Sequence, residues 1–168
     1  ISNPTNASIG ATETMTITIE DNDNPPTVRF AVGADAAASD ATTDQESVTV
    51  TLSAVSGKET TIPYTIGEAS TVTSTGIYAD HNLTAGNLVI PIGSLTGNIT
   101  YNPVADGTYE NDETLIIDLG NPTNATLNAD ASVTTHSITF SSSDAAPTVG
   151  FSATTSNITE TDEDIINL

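Results

Sequence analysis

The amino-acid sequence predicts an all-β protein built as a seven-stranded antiparallel β-sandwich. Several short stretches alternate apolar residues with hydroxyl residues, which is the period of a strand with one buried face. The stretches between them are rich in Gly, Asn, Asp and Ser, the residues that favour turns. No segment sustains the 3.6-residue period of an amphipathic helix, so the pattern favours strands throughout.

The clearest strand is predicted at Ser47–Ser53, where Val48, Val50 and Leu52 share the buried face. Threonine fills most of the outward positions, as expected on a pleated and half-exposed surface. The other six predicted strands are Thr27–Val32, Thr61–Ile66, Leu88–Pro91, Asn98–Tyr101, Thr114–Leu119 and Val133–Phe140.

Two short blocks recur at the spacing of a whole domain. Asn-Pro-Thr-Asn-Ala occupies residues 3–7 and again 121–125, which is 118 residues later. Pro-Thr-Val occupies residues 26–28 and again 147–149, 121 residues later. Recurrence at such a period indicates a tandem repeat. We therefore expect three parts: the last strands of a preceding repeat and an acidic linker (1–24), one complete sandwich (25–144) and the first strands of a following repeat (145–168).

The charge of the chain is strongly one-sided. Among 168 residues, 22 are acidic and only two are basic, which gives a net charge of −20. Such a chain repels nucleic acid and anionic membrane surfaces, so neither is an expected partner. No apolar run reaches the length of a membrane span, and without cysteine there is neither a disulfide nor a thiolate metal site.

Four motifs, in the same order along the chain, resemble a known module. They are the Asn-Pro-Thr-Asn-Ala blocks, the strand and acidic linker at 16–23, the Pro-Pro-Thr-Val-Arg-Phe start at 25–30, and the acidic loop Asp106-Gly-Thr-Tyr-Glu-Asn-Asp-Glu113. Together they resemble the Calx-β domain of sodium–calcium exchangers, integrins and large bacterial surface proteins. The resemblance implies an immunoglobulin-like sandwich with calcium bound at one end, between loops and an acidic linker.

Carried onto this sequence, the resemblance implies a set of candidate calcium ligands. The family's Gly-x-Asp-Tyr motif is altered here to Gly76-Ile-Tyr-Ala-Asp80, so that its acid is either missing or displaced to Asp80. The linker of the complete copy is also reduced, to Ser141-Ser-Ser-Asp144. The candidates are Asp80, Asp106, Glu110, Asp112, Glu113 and Asp144, an acid before the second strand at Asp44 or Glu46, Asp21 and Asp23 of the first linker, and Glu160, Asp162, Glu163 and Asp164 of the following copy.

Clustered carboxylates suit calcium, which takes six to eight oxygen ligands in a flexible geometry. The alternative is that these acids are solvated loop residues that keep a β protein soluble. A helix–loop–helix calcium site is excluded, because Asp106–Glu113 lacks the alternating acids of that loop.

Nothing in the sequence favours an enzyme. His81 and His136, the only histidines, are interpreted as surface or turn residues. No Gly-x-Ser-x-Gly nucleophile motif is present. The chain has four Tyr, three Phe and no Trp, too few aromatic residues for a typical carbohydrate cleft.

The resulting hypothesis is a non-catalytic spacer repeat of an extracellular or cell-surface, adhesin-like protein, stabilised by calcium at loops and linkers. Its partners would be the neighbouring repeats of the same protein. One alternative is a subunit of a filament assembled by strand exchange between identical chains. A second alternative is a calcium-sensing regulatory module.

Overall fold

The computed structural model describes residues 2–12, 14–33, 38–39, 44–152 and 154–155. Within this part of the chain, nine strands and a 3₁₀ turn, η1 (Ala131–Val133), lie between Thr27 and Ser141. The strands are β1 (Thr27–Phe30), β2 (Ala38–Ser39), β3 (Glu46–Leu52), β4 (Thr60–Ile66), β5 (Gly86–Ile90), β6 (Thr96–Tyr101), β7 (Glu113–Leu119), β8 (Thr126–Leu127) and β9 (Thr135–Ser141).

The strands form two sheets packed as a sandwich. One sheet has the order β6-β3-β1-β8 and the other β2-β9-β7-β4-β5. The seven longer strands pair antiparallel, whereas the two-residue strands β8 and β2 pair parallel to β1 and β9. The prediction of an all-β, immunoglobulin-like sandwich is confirmed. Among the described residues, no helix has the length and apolar character needed to cross a bilayer.

The core lies between the sheets and follows the two-residue period of the sequence. Val48, Val50 and Leu52, predicted to face inward, are at most 3% exposed. In β9 the alternation buries His136, Ile138 and Phe140. Side chains from both sheets join one apolar cluster, which removes hydrocarbon surface from water and holds the layers together.

All seven predicted strands are present, with some corrections to their ends. The predicted Val133–Phe140 strand starts too early, because Val133 belongs to η1 and β9 begins at Thr135. The Asp130 side chain caps η1 by accepting a hydrogen bond from the backbone N–H of Ser132 at 3.0 Å. Strands β2 and β8 were not predicted, because two residues show no periodicity.

The sandwich has two distinct poles. At one, which we call the acidic pole, Glu46 at the start of β3 pairs with Tyr101 at the end of β6, and the Tyr101 ring lies 6.1 Å from Phe140 of β9. At the opposite pole, Leu52 at the end of β3 pairs with Val28 near the start of β1. Strands β1 and β9 therefore both run toward the acidic pole.

Outside the sandwich, the described residues of 2–24 and 145–155 form no strand. The assignment of these segments to preceding and following repeats stays a prediction. The two Asn-Pro-Thr-Asn-Ala blocks do share a backbone feature, because Asn6 and Asn124 have positive φ angles of 60° and 58°. Asparagine tolerates this left-handed conformation better than most residues.

Candidate metal centre

Three carboxylates converge at the acidic pole. Asp80 lies in the long loop between β4 and β5, Glu110 lies in the loop between β6 and β7, and Glu113 is the first residue of β7. One oxygen of each lies within 4.8 Å of the other two. Residues from distant parts of the sequence thus meet because the strand topology brings both loops and the end of β9 to one pole.

Asp80 is fixed in place by backbone hydrogen bonds. Its Oδ2 accepts from the backbone N–H of Thr73 at 2.6 Å, and its own N–H donates to the Thr73 carbonyl at 2.9 Å. Its carbonyl accepts from the N–H of Val104 at 2.8 Å, which ties the loop after β4 to the loop after β6. The residue is only 7% exposed, so burial and these hydrogen bonds together fix the position of its carboxylate.

Glu113 shows the electrostatic effect of the cluster. Burial, then the charges of Asp80 and Glu110, then a hydrogen bond to Asp80 raise the pKa of Glu113 from 4.5 to about 6. Each of these effects disfavours a further negative charge at this position. A bound divalent cation would reverse the balance and favour the ionised carboxylate.

The carboxylates open onto a small cavity of about 10 Å³, which is the space of roughly one water molecule or one bare cation. Its other lining residues are Asn111, Phe140, Ser141 and Ser142. Three carboxylates can supply up to about six oxygens, and the hydroxyl and amide groups of this lining are additional oxygen donors. The donor set therefore fits calcium, which prefers hard oxygen ligands.

No basic side chain of the described residues lines the cavity of these acids. Lys58 lines a groove at the opposite pole, and the guanidinium of Arg29 donates to the carbonyl of Phe30 at 3.3 Å. These two are the only basic residues of the sequence, and neither lines the acidic cavity. Carboxylates gathered without a counter-charge repel one another, and this repulsion is what a metal ion relieves.

The other predicted acids lie outside this three-carboxylate cluster. Asp106 is half-buried; its Oδ1 accepts from the N–H of Thr108 at 2.8 Å, and its Oδ2 is buried with no hydrogen-bond partner among the described residues. Asp112 is exposed, and Asp144 is half-buried with its N–H donating to the Ser142 hydroxyl at 3.3 Å. Asp106 and Asp112 thus lie in the same loop as Glu110, and Asp144 follows β9, but none of them joins the cluster.

Four further candidates are exposed. Glu46 begins β3 at the acidic pole, and Asp44 precedes it. Asp21 and Asp23 instead line the groove at the opposite pole that also contains Lys58, and the Asp23 N–H donates to Asp21 Oδ1 at 3.1 Å. Glu160, Asp162, Glu163 and Asp164 lie outside the described residues.

The sequence did not single out Ser141 and Ser142 as parts of the site wall. They were interpreted as a weakened linker, yet both line the cavity beside Glu113. The recurring blocks of the sequence could have identified these two positions. At the 121-residue spacing, Ser141 and Ser142 correspond to Glu20 and Asp21. In the predicted repeat, acids thus occupy the positions that form the wall here.

The interpretation of the histidines as surface residues was wrong. His81 is 1% exposed and His136 is completely buried. His81 Nδ1 accepts from the N–H of Leu83 at 3.0 Å, and burial lowers the pKa of His81 while the adjacent Asp80 partly opposes that shift. His136 Nδ1 lies 2.9 Å from the Val32 carbonyl, and its ring packs 5.1 Å from that of Phe30. Both imidazoles are part of the core.

The fold is that of the Calx-β domains. It superposes on the solved CBD12 of CALX1.2 with a TM-score of 0.59 and 18% identity, over 70% of this chain and 45% of that one. CBD1 of Calx gives a TM-score of 0.57 and 16% identity, over 72% of this chain and all of that domain. The calcium binding domain CBD12 of CALX1.1 gives 0.58 and 18%, over 70% of this chain and 44% of that one.

The match thus covers less than half the length of the two CBD12 structures and the full length of CBD1. No protein-family model and no curated protein matches the sequence. The likeness is one of fold, and it defines the protein as a Calx-β-like β-sandwich.

Proposed function

We propose that this protein is a non-catalytic, calcium-binding β-sandwich module that serves as a spacer repeat in an extracellular or cell-surface, adhesin-like protein. The observation that carries the calcium part is the cluster of Asp80, Glu110 and Glu113, with no basic residue lining its cavity. One of the similar solved structures is described as a calcium binding domain, which supports the same choice of ion.

The spacer part is supported by the path of the chain through the sandwich. The chain enters β1 at the opposite pole and leaves β9 at the acidic pole. Repeats joined through such ends would lie end to end, with an acidic pole at every junction. The net charge of −20 agrees with a solvent-exposed repeat that stays soluble.

The direct test is calorimetric titration of the chain with calcium, together with its melting temperature with calcium and with chelator. We expect binding, a higher melting temperature with calcium, and a loss of at least about tenfold in affinity in Glu113→Gln. The matched control is Asp112→Asn, which removes an equal charge from the adjacent exposed acid outside the cluster. No heat of binding at millimolar calcium, or equal losses in both variants, would rule out the site.

The affinity also separates the spacer from the alternative of a calcium-sensing module. Extracellular calcium modules bind at about 10⁻⁴–10⁻³ M, whereas sensors bind at about 10⁻⁷–10⁻⁵ M. We expect the weaker range, since the cluster contains three carboxylates and the wall beside them carries serines rather than acids. A dissociation constant below about 10⁻⁵ M would favour the sensor.

A further inference from the structure

The segment Thr14–Glu20 carries an exposed apolar row. Met15, Ile17 and Ile19 alternate with threonines, and these three side chains are 84%, 74% and 91% exposed. Period-two alternation of this kind is the pattern of a strand with one face intended for burial. Three large apolar residues in a row on a solvated segment indicate a surface that another protein element covers.

The repeat shows which element this segment corresponds to. At the 121-residue spacing, Thr14–Glu20 falls on β9, with Met15, Ile17 and Ile19 on His136, Ile138 and Phe140. Those three residues of β9 are 0%, 0% and 4% exposed. The same side-chain positions are thus buried in one copy and open to solvent in the other.

The change of spacing between the two repeat blocks supports this register. The spacing grows from 118 to 121 residues after Asn-Pro-Thr-Asn-Ala, and the three-residue turn η1 (Ala131–Val133) lies between that block and β9. Placing the insertion in η1 leaves β9 and Thr14–Glu20 aligned without a gap. Five of the seven aligned positions then hold either the same residue or a conservative hydroxyl or aliphatic–aromatic exchange.

A second segment shows the same relation independently. Val149 and Phe151 are 102% and 96% exposed, and at the same spacing they correspond to Val28 and Phe30 of β1, which are 0% and 1% exposed. Two strands of the sandwich therefore have counterparts whose apolar rows lie uncovered. Chance exposure of one hydrophobic segment does not account for the agreement at both.

We infer that Thr14–Glu20 is a closing strand, whose partner is a second sandwich of this fold that holds it in the β9 position. There it pairs antiparallel with a β7-type strand, as β9 pairs here with Leu115 and Ile117 opposite Ile138 and His136. The apolar row enters the core, and the threonines face outward. The inference rests on the proposed repeat organisation and is independent of calcium.

The first experiment places the segment in the β9 position of the intact chain. The variant His136→Met, Ser137→Thr and Phe140→Ile gives residues 135–140 the sequence of 14–19. It keeps all three carboxylates of the cluster and alters one apolar wall residue of the cavity, Phe140. We expect cooperative unfolding with a midpoint within about 10 °C of the original chain, since the exchanges keep the burial pattern. All measurements are made with chelator present, so that failure here is separate from failure to bind calcium.

The matched control carries Thr14–Thr18 on residues 136–140, one position out of register. Its substitutions are His136→Thr, Ser137→Met, Ile138→Thr, Thr139→Ile and Phe140→Thr. A slip of one residue turns the apolar row to the solvent face, so we expect this variant to lose cooperative unfolding. If the in-register variant loses its fold as the slipped one does, the segment is not a closing strand.

The second experiment tests docking itself. A labelled peptide of residues 11–24 is titrated into the chain carrying Ile138→Asp, which places a charge in the core and removes the hold on its own β9. We expect fluorescence anisotropy to show binding, and a peptide with Ile17→Asp to bind at least about tenfold more weakly. No binding, or equal binding of both peptides, overturns the docking of this strand.

Discussion

At the scale of single residues, Glu113 is both part of the sandwich and part of the candidate metal site. It begins β7, joins the three-carboxylate cluster, and has a pKa raised to about 6 by burial and by its acidic neighbours. The charge that would serve a bound ion is therefore a cost to the folded chain when no ion is bound. We therefore expect the stability of the chain to depend on pH and, through the proposed site, on calcium.

We expect the metal-free chain to lose stability as the pH rises through about 6. Since the folded pKa of Glu113 lies above its ordinary value of 4.5, its contribution is fully present below pH 4.5 and is lost as the pH rises through the folded value. Glu113→Gln removes this pH dependence. At pH 7.5 the free energy of unfolding of the variant should be about 1 kcal/mol higher than that of the original chain, a value already reduced for solvent screening. Urea unfolding in chelator between pH 4.5 and 7.5 measures the difference.

A gap between the two chains that stays constant across this pH range would contradict the electrostatic account. Asp112→Asn again serves as the control, because its side chain is exposed and lies outside the cluster. With calcium present at pH 7.5, Glu113→Gln should be less stable than the original chain, because the ion requires the carboxylate charge that glutamine lacks.

The sequence predicted that the acidic loop belongs to the site, but it did not predict which acids of this loop join the cluster. Glu110 and Glu113 converge on Asp80, whereas Asp106 and Asp112 of the same loop lie outside the cluster. Asp80 was predicted only as a displaced motif residue. Its place depends on its hydrogen bonds to Thr73 and Val104, which pattern reasoning cannot supply.

The histidines illustrate the same limit for a different reason. His136 occupies an inward position of β9, in line with Ile138 and Phe140, whereas its residue type favoured the surface. Its bond to the Val32 carbonyl satisfies the polar ring, so that it can replace an apolar residue in the core. Position in the strand was a better guide than polarity.

At the scale of elements, the strands were predictable because each carries its own period. Val48, Val50 and Leu52 specify one face of β3 without reference to any other strand. Strands β2 and β8 depend instead on pairing with Phe140 and with Thr27, residues far away in the sequence. Elements defined only by tertiary contacts could not be read from local pattern.

The turn before β8 offers a test at this scale. Asn124 has a φ of 58°, and its Nδ2 donates to the carbonyl of Glu59 at 2.8 Å. We expect Asn124→Ala to destabilise the sandwich by about 2 kcal/mol, from the left-handed backbone and the lost hydrogen bond. Asn124→Gly should cost about 1 kcal/mol or less, because glycine adopts this backbone freely.

Chemical denaturation measures both variants, with Asn6→Ala as the control. Asn6 has the same backbone angle in the duplicated block but lies outside the sandwich, so its substitution should leave the unfolding midpoint unchanged. Equal stability of the alanine and glycine variants at position 124 would show that the left-handed backbone is not the source of the effect.

At the scale of the whole molecule, 22 acids against two basic residues make the folded chain repel itself. We expect sodium chloride to raise the melting temperature of the metal-free chain by a few degrees as salt screens this repulsion. Calcium at millimolar concentration should raise it further than magnesium at the same concentration, because magnesium tolerates only near-ideal octahedral geometry.

Thermal unfolding in chelated buffer, in sodium chloride and in each divalent salt separates the two effects. Equal shifts for magnesium and calcium would mean that the ions act only as a screening atmosphere. In Glu113→Gln the response to sodium chloride should persist, while the excess response to calcium should disappear.

The direction of the strands has a mechanical consequence. β1 and β9 run the same way, so a pull on the chain before Thr27 and after Ser141 acts along the strand axes. Such tension acts in shear on two sets of hydrogen bonds, those between β1 and β3 and those between β9 and β7. In shear, all the bonds of a set bear the load together, whereas in peeling they break one after another. The β2–β9 pair is parallel and is loaded in the same manner. Glu113 sits beside Phe140, where the force would leave the domain, so an ion bound there would clamp the strand that carries the tension.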